Sequence, residues 1–442
     1  MSDQLSAEEV VQLSKQYTLY DWAAQSAVSP IPVARAEGVY FYEPGGKRYL
    51  DFNSQLMSVN IGHGDQRVND AITRQLGELA YTNSAITATE PRALLGRKLA
   101  SVFPGDIEKS FFTLGGAEAN ENAIRIAKAV TGRSKILARY RSYHGGTHAA
   151  ITLTGDPRRW PNEPGYPGVV HVLDFYHGTT RPWDDAATAL AVLRETIELE
   201  GPKTIAAFII EPVTGTNGIL IPPDGYLQGV RELCDEFGIL MIADEVMAGF
   251  GRTGKWFAVD HWNVVPDIIT CAKGLTSSYL PLGVVGLRAH VAEHFEKNVF
   301  AGGLTYNSHP VCLAAALATI DVMEQDKIVE NAAKMGSVMA GHHQELAARH
   351  PSVGAVRNIG LFGILEIVRN PATGEPMAPF NGSSPEMQAL HRYLLDNGVY
   401  TILHWNQVMT NPPLTITEDQ LAEGFAVLDK ALDITDQAVT AR

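Results

Sequence analysis

The segment Asp267-Ile268-Ile269-Thr270-Cys271-Ala272-Lys273-Gly274 decides the fold class, because it is an apolar run that ends on one cation and a glycine. A second apolar run, Ile239-Leu240-Met241-Ile242-Ala243-Asp244-Glu245, lies upstream and ends on acid. Both runs are typical of short, buried strands of a parallel sheet. Lys273 follows Asp244 by 29 residues (273 − 244), enough for one crossover between parallel strands. The pattern therefore predicts an amine and a carboxylate at the carboxyl ends of nearby strands, where open α/β sheets bind ligands.

This pair of opposite charges indicates a specific chemistry. A lone strand-end lysine is often only solvated, but two apolar runs that end in opposite charges are costly to bury unless the charges are used. An aldehyde cofactor with a basic ring nitrogen needs both groups. The amine of Lys273 would form a Schiff base, and the carboxylate of Asp244 would keep the ring nitrogen protonated.

Composition narrows the class of protein and its partners. The 442 residues carry a net charge of −14, which argues against nucleic acid or an anionic membrane as a partner. No apolar stretch approaches the roughly 20 residues of a membrane helix, and the first residues lack a signal-peptide core. The three cysteines are far apart, which favours packed thiols in a reducing, cytoplasmic location. We find no set of residues with metal-ligand spacing and expect no metal.

Short apolar runs and amphipathic stretches alternate through the middle of the chain. Predicted strands are Phe111–Leu114, Ile136–Tyr140, Val169–Leu173, Ile205–Glu211, Ile239–Asp244, Ile268–Ala272 and Leu282–Leu287; predicted helices are Glu118–Thr131, Ala186–Glu200, Tyr226–Phe237 and Pro310–Gln325. This alternation predicts an α/β fold with a doubly wound, mostly parallel sheet. We assign residues 61–325 to a large domain, and 1–60 with 326–442 to a smaller α+β domain built from both chain ends. In that smaller domain we expect a hairpin at Gly38–Asp51 and a strand-like stretch at Val399–Asn411.

A candidate phosphate site follows the strand at Phe111–Leu114. Gly115 and Gly116 let backbone approach a ligand closely, and the following helix presents free N–H groups and a positive dipole end. A phosphate can bind there without lysine or arginine, although glycine pairs at such joins are often only turns. Tyr143, after the strand Ile136–Tyr140, would either stack on a cofactor ring or simply pack in its loop.

A competing motif lies at Gly249-Phe250-Gly251-Arg252-Thr253-Gly254, which fits the GxGxxG dinucleotide fingerprint. Glu245 to Ala248 separate it from the strand, and no long amphipathic helix follows. The fingerprint requires both contexts. We interpret this segment as a flexible loop, and a nicotinamide-dependent oxidoreductase remains an alternative that rests on it alone.

Together the motifs resemble class III aminotransferases, which use pyridoxal 5'-phosphate on the type I aminotransferase fold. The shared signature comprises Asp244-Glu245-Val246, Gly249-Phe250-Gly251-Arg252 and Asp267 to Gly274. Agreement extends from Tyr49-Leu50-Asp51-Phe52 and Gly62-His63-Gly64 to Pro412-Pro413-Leu414, so nearly the whole chain is covered. Within the class, the chain is most similar to the omega-amino acid or amine:pyruvate group, including taurine:pyruvate aminotransferases. The resemblance implies ping-pong transfer of an amino group, while an aminomutase or a decarboxylase would use the same lysine and aspartate.

The resemblance also implies a role for each matching residue. Lys273 is the Schiff-base lysine and proton carrier, and Asp244 pairs with the pyridine nitrogen. The other implied contacts are Val246 and Tyr143 on the two faces of the ring, His144 beside the cofactor, Gly116 and Ala117 at the phosphate, Thr305 at the phosphate of the other subunit, Glu211 near the substrate, and Trp22 and Met57 in the pocket. A homodimer or dimer of dimers with shared active sites follows from the role of Thr305.

The chain departs from the family where many members carry a carboxylate-binding arginine shortly before Pro-Pro. Tyr400-Thr401-Ile402-Leu403-His404-Trp405-Asn406 occupies that stretch, and no lysine or arginine lies between Arg392 and Lys430. His404 is the candidate cation there, unless it merely packs at a strand end. A neutral imidazole cannot form the two parallel hydrogen bonds that a guanidinium makes with a carboxylate. We therefore expect the amino acceptor to be a small keto acid, pyruvate first, and we expect 2-oxoglutarate to be a poor acceptor.

Overall fold

The structure, a computed structural model, describes residues 5–173, 175–177, 181–182 and 185–440. Its strands are β1 Arg35–Glu37, β2 Tyr40–Tyr42, β3 Arg48–Asp51, β4 Ile107–Thr113, β5 Lys135–Arg139, β6 Val169–Val172, β7 Tyr176–His177, β8 Arg181–Pro182, β9 Ile205–Ile210, β10 Leu240–Asp244, β11 Ile268–Cys271, β12 Gly283–Arg288, β13 Val353–Ile359, β14 Phe362–Asn370, β15 Glu375–Pro376, β16 Val399–Tyr400, β17 Leu403–His404 and β18 Gln407–Thr410. Its helices are α1 Ala7–Tyr17, α2 Ser54–Met57, α3 Gln66–Glu78, α4 Glu90–Val102, α5 Gly116–Thr131, α6 His148–Leu153, α7 Ala186–Glu200, α8 Tyr226–Phe237, α9 Ala289–Ala292, α10 Pro310–Gln325, α11 Ile328–Arg349, α12 Pro385–Asp396 and α13 Glu418–Asp436. In the part of the chain so described, no helix has the length and apolar character needed to cross a membrane.

A seven-stranded sheet in the order β4-β12-β11-β10-β9-β5-β6 forms the centre of the fold. The strands from β11 to β6 run parallel, whereas β12 is antiparallel to both of its neighbours. β9 is buried along its whole length, as expected for a strand with both faces covered. The predicted α/β fold with a doubly wound, mostly parallel sheet is confirmed.

The two faces of this sheet pack against different helices. On one face, Phe208 of β9 packs in an apolar cluster with Leu193 of α7 and Val230 of α8. On the other face, Ile209 packs in a separate cluster with Ala123 of α5. From Phe208 to Ile210, successive side chains of β9 thus enter opposite clusters, which follows from the two-residue period of a strand. Because the strands from β11 to β6 run parallel, their carboxyl ends lie at one edge of the sheet, which is where the site lies.

Residues from the two ends of the chain share a second sheet, in the order β1-β2-β3-β16. β2 and β3 form the predicted hairpin, and β3 pairs in parallel with β16, with Leu50 opposite Val399. The stretch after Val399 was expected to be one strand-like segment, but it forms β16, β17 and β18. β17 and β18 pair around a tight turn at which Trp405 takes a φ of +58°. The domain division at residues 60 and 325 stays a prediction.

One group of potential metal ligands lies apart from the central sheet. Ligand atoms of His350, Asp433 and Asp436 lie within 4.8 Å of one another. The two ring nitrogens of His350 lie 2.7 Å from a carboxylate oxygen of Asp436 and 2.9 Å from one of Asp429. Both nitrogens therefore already have partners, and the group joins the end of α11 to α13.

Candidate active site

A cavity of about 760 Å³ lies at the carboxyl ends of β10 and β11. Among the residues lining it are Trp22, Met57, Gly116, Ala117, Tyr143, His144, Glu211, Asp244, Val246 and Lys273. The fold therefore brings together every predicted site residue except Thr305 and His404. The roles assigned to them stay proposals, which the geometry below supports in different degrees.

Lys273 lies two residues after the end of β11, is partly buried, and has a backbone conformation that residues other than glycine rarely adopt. Its φ is +47°, in the left-handed region, where a residue other than glycine is strained. Burial lowers the pKa of Lys273 to about 8, while the carboxylates of Asp244 and Glu211 act in the opposite direction. An amine with this pKa is partly neutral near pH 8, and the neutral form is the nucleophile.

Asp244 ends β10, and its carboxylate is held by three donors. Oδ2 accepts from Asn120 Nδ2 and from His144 Nδ1, each at 2.8 Å, and Oδ1 accepts from the backbone N–H of Val246 at 3.0 Å. These contacts fix the carboxylate plane at the cavity wall. The sequence analysis did not identify Asn120; the available signal was an asparagine within the apolar face of α5, between Ala119 and Ala123.

The predicted phosphate site lies at the first turn of α5. The helix begins at Gly116 without a side-chain cap, so its first N–H groups are available to a ligand. A Cβ at Gly116 would lie 2.6 Å from Val246 Cγ1, which is closer than real Cβ contacts come. The glycine therefore lets the start of the helix approach the wall that carries Val246. The cavity therefore offers one matching group for each reactive part of pyridoxal phosphate. The free N–H groups of α5 suit its phosphate, the amine of Lys273 suits its aldehyde, and the carboxylate of Asp244 suits its ring nitrogen.

Glu211 fixes the loop that carries Tyr143. Its carboxylate accepts from the backbone N–H groups of Tyr143 at 2.9 Å and Gly215 at 2.7 Å. Burial raises the pKa of Glu211, and the nearby charge of Asp244 acts in the same direction. Glu211 thus supports the cavity wall through the backbone as well as lining the cavity.

Arg158 is a cavity residue that the sequence analysis missed. Its guanidinium carbon lies 3.8 Å from the centre of the Tyr143 ring and 5.8 Å from that of Trp22. Nε lies 2.9 Å from an Asp156 carboxylate oxygen, and Nη2 donates to Thr216 Oγ1 at 2.7 Å. Within the described ranges of the chain, Nη1 has no hydrogen-bond partner, so it is the donor available to a ligand. No strand end or glycine motif marks this arginine, because it lies in the short 3-10 segment Pro157–Asn162.

The prediction that His404 is the candidate cation is wrong. His404 is absent from the cavity lining, and its ring packs against that of Trp405, with the ring centres 4.1 Å apart and the planes tilted by 33°. Burial, with the nearby charge of Arg158, lowers the pKa of His404 to about 4, so the ring is neutral at pH 7. The alternative left open, that His404 packs at a strand end, describes its position on β17.

Thr305 lies outside the cavity of its own chain. It is exposed, and its carbonyl accepts a hydrogen bond from the Tyr81 hydroxyl at 2.8 Å. This placement is compatible with the predicted contact to another subunit, which stays a prediction.

The Gly249–Gly254 segment is a buried connection, and its interpretation as a flexible loop is wrong. Phe250 and Arg252 are fully buried, and Arg252 Nη1 donates to the carbonyl of Pro412 at 2.6 Å. Only the 3-10 turn Ala258–His261 follows the segment, so the helix that a dinucleotide site requires is absent there. The segment ties the loop after β10 to residues near the carboxyl end.

Comparison with known proteins places this site in a family. The family model for Aminotransferase class-III matches residues 22–432. The chain is 35% identical to a putrescine–pyruvate aminotransferase of Pseudomonas aeruginosa, over 92% of each chain. It is 33% identical to a taurine–pyruvate aminotransferase of Bilophila wadsworthia, over 97% of this chain and 98% of the relative. The solved taurine:2-oxoglutarate aminotransferase of Bifidobacterium kashiwanohense, in complex with PLP and glutamate, is 39% identical, with a TM-score of 0.95 over 99% of this chain and 100% of that one.

The chain belongs to the class III aminotransferases. It has the type I aminotransferase fold, and it is an aminotransferase that uses pyridoxal 5'-phosphate. The predicted family, enzyme class and cofactor are confirmed, and the nicotinamide alternative is wrong.

Proposed function

We propose that this aminotransferase moves an amino group from amines or omega-amino acids to a small keto acid, pyruvate first. The observation that carries the proposal is Arg158, the only arginine among the described residues that line the cavity. A single guanidinium can bind one carboxylate or sulfonate at a time. A dicarboxylate acceptor would leave its second carboxylate without a comparable partner in this wall, at a cost of several kcal/mol if that group were buried.

The wall around Arg158 also accommodates donors without an acid group. Asp156 pairs with Arg158 through both carboxylate oxygens, so the arginine is already partly neutralised. Tyr143 and Trp22 flank the guanidinium with aromatic surface, which favours an uncharged alkyl or aryl chain. Relatives with pyruvate in their names act on putrescine and on taurine, which supports a donor range of this breadth.

The chain's own residues supply the acid–base chemistry. Bound pyridoxal phosphate supplies an electron sink that stabilises the charge left on the donor carbon when its proton is removed. We infer that Lys273 attaches the cofactor through its amine and, once displaced by the donor, takes the proton from the donor carbon and returns it. Asp244 keeps the ring nitrogen protonated, and the first N–H groups of α5 hold the phosphate.

Arg158→Gln should raise the KM for pyruvate and for taurine by about 10- to 100-fold, because one charge-assisted anion contact is lost. The rate with a simple monoamine donor should change little, since that donor makes no such contact. Steady-state kinetics with each donor and acceptor measure the effect. Arg159→Gln is the matched control, because Arg159 is adjacent, pairs with Glu163 and is absent from the cavity lining.

Equal losses with acid and non-acid donors would show that Arg158 only supports the wall. The acceptor proposal needs its own comparison, since the Bifidobacterium relative is named for 2-oxoglutarate. Half-reaction rates of the unmodified enzyme with pyruvate and 2-oxoglutarate decide this point. A preference for 2-oxoglutarate would contradict the proposed acceptor.

We also propose that the active unit is at least a homodimer, with Thr305 of one subunit serving the phosphate of the other. Thr305→Ala should weaken cofactor binding by about 10- to 100-fold, the range for one hydrogen bond to a charged group. Mixing Thr305→Ala with Lys273→Ala subunits should recover activity, because one hybrid site then contains both native residues. No recovery in hybrids verified by mass would contradict a contribution across the interface.

A further inference from the structure

A buried side-chain amide connects the phosphate-facing helix to the carboxylate of Asp244. Asn120 lies one turn after Gly116 on α5, is 1% exposed, and places Nδ2 2.8 Å from Asp244 Oδ2. His144 Nδ1 approaches the same oxygen at 2.8 Å. Oδ2 therefore has two donors, whereas Oδ1 accepts only the N–H of Val246 among the described residues. A carboxylate oxygen can accept two hydrogen bonds, so Oδ1 is the oxygen with capacity for a further donor.

The orientation of the Asn120 amide is decisive, because its oxygen would repel the carboxylate that its NH₂ group attracts. The Thr270 hydroxyl donates to Asn120 Oδ1 at 2.7 Å. Asn120 Nδ2 also donates to the carbonyl of His144 at 2.7 Å. Both contacts select the orientation that presents NH₂ to Asp244. Thr270 is the register partner of Asp244 on the neighbouring strand, so its hydroxyl emerges beside the carboxylate.

We propose that Asn120 is a positioning residue for Asp244 and that Thr270 fixes the Asn120 amide. The proposal rests on the proposed pairing of Asp244 with the ring nitrogen. Two donors on Oδ2 hold the carboxylate plane and leave Oδ1 directed by a single N–H group. Because α5 also begins at the phosphate site, one rigid helix sets the spacing between the two polar ends of the cofactor site. Such support of a functional side chain by locked neighbours is what preorganises a site.

The test compares Asn120→Ala, Thr270→Val, Thr270→Ser and the double variant Asn120→Ala/Thr270→Val. The measurements are the cofactor dissociation constant of the cofactor-free protein, the visible absorbance of the loaded protein across pH, and the rate of the first half-reaction. Asn120→Ala should lower both affinity and rate by about tenfold and shift the absorbance titration, since one hydrogen bond to a charged group is lost. Thr270→Val should act in the same direction, and Thr270→Ser should match the parent because it keeps the hydroxyl.

Coupling between the two residues distinguishes positioning from general destabilisation. Thr270→Val should have little further effect in the Asn120→Ala background, because its only proposed route is through the amide. The control is Asn122→Ala, on the same helix, whose buried amide bonds to the carbonyl of Glu118. Its absorbance titration should match the parent.

The outcomes separate this proposal from the role of Asp244 itself. If Asp244→Asn changes the titration and rate while Asn120→Ala changes neither, Asn120 only packs and the positioning role is refuted. An equal loss from Thr270→Val in both backgrounds would refute its action through Asn120. If Asp244→Asn also leaves everything unchanged, the proposed role of Asp244 fails, and with it this one.

Discussion

Lys273→Ala is expected to fold, to bind pyridoxal phosphate without covalent attachment, and to lose turnover by a factor on the order of 10³. Lys273 is the only lysine among the described residues that line the cavity, and its side chain is partly buried there. No neighbouring amine in that wall can replace it as proton carrier. Turnover and the visible spectrum of the loaded variant measure the two losses separately.

The pH dependence of cofactor capture gives a second test of Lys273. Burial lowers the pKa of the amine to about 8, and only the neutral form is nucleophilic. The rate at which cofactor-free protein captures the aldehyde should therefore rise with pH through a midpoint near that value. Lys255→Ala is the control, because Lys255 is exposed and bonds to the carbonyl of Asp260. Near-normal turnover of Lys273→Ala without added amine would contradict the assignment.

Asp244→Asn should retain part of its cofactor affinity and slow the first half-reaction by about 10²- to 10³-fold. A neutral amide cannot stabilise the protonated ring nitrogen, so charge on the donor carbon is less stabilised. The surroundings of Asp244 increase the expected loss of rate, since two donors, His144 and Asn120, converge on Oδ2. After the substitution, an amide NH₂ group that faced those two donors would have no acceptor. Stopped-flow spectroscopy with a single donor measures the half-reaction directly.

A carboxylate outside the cavity provides the comparison for Asp244. Asp260→Asn keeps an oxygen to accept from the N–H of Phe257, which Asp260 Oδ2 accepts at 3.0 Å. Its half-reaction should match the parent rate. If Asp244→Asn also proceeds at the parent rate, Asp244 does not serve the ring nitrogen.

The elements predicted most accurately from sequence were the buried strands, because burial of both faces leaves a continuous apolar run in the sequence. β9, β10 and β11 are continuous apolar runs because both sheet faces are covered, and each ends where polar side chains begin. Lys273 and Asp244 could be placed at one edge for this reason alone. The start of α5, where we propose that the phosphate binds, was predictable too, since a glycine pair at a strand–helix join is a local feature.

The features that were missed depend on contacts between residues distant in sequence. Arg158 reaches the cavity because its 3-10 segment folds back against Tyr143, and no local pattern encodes that path. His404 was misjudged because Trp405 takes a positive φ, which makes a tight hairpin where a continuous strand was expected. Tight hairpin turns usually have glycine or asparagine at such a position, so this turn was not marked.

The contacts that join the two ends of the chain, the pairing of β3 with β16 among them, have a consequence for its synthesis. The segment that carries Met57 into the cavity is anchored by Ser54, whose hydroxyl donates to the carbonyl of Asn411 at 2.7 Å. Asn411 follows Lys273 by 138 residues (411 − 273). At bacterial-to-eukaryotic elongation rates, the ribosome needs about 7 to 28 s to cover that interval. During this time Lys273 has been synthesised, but the cavity wall that faces it is incomplete. The cofactor site can therefore be completed only after translation has passed Asn411.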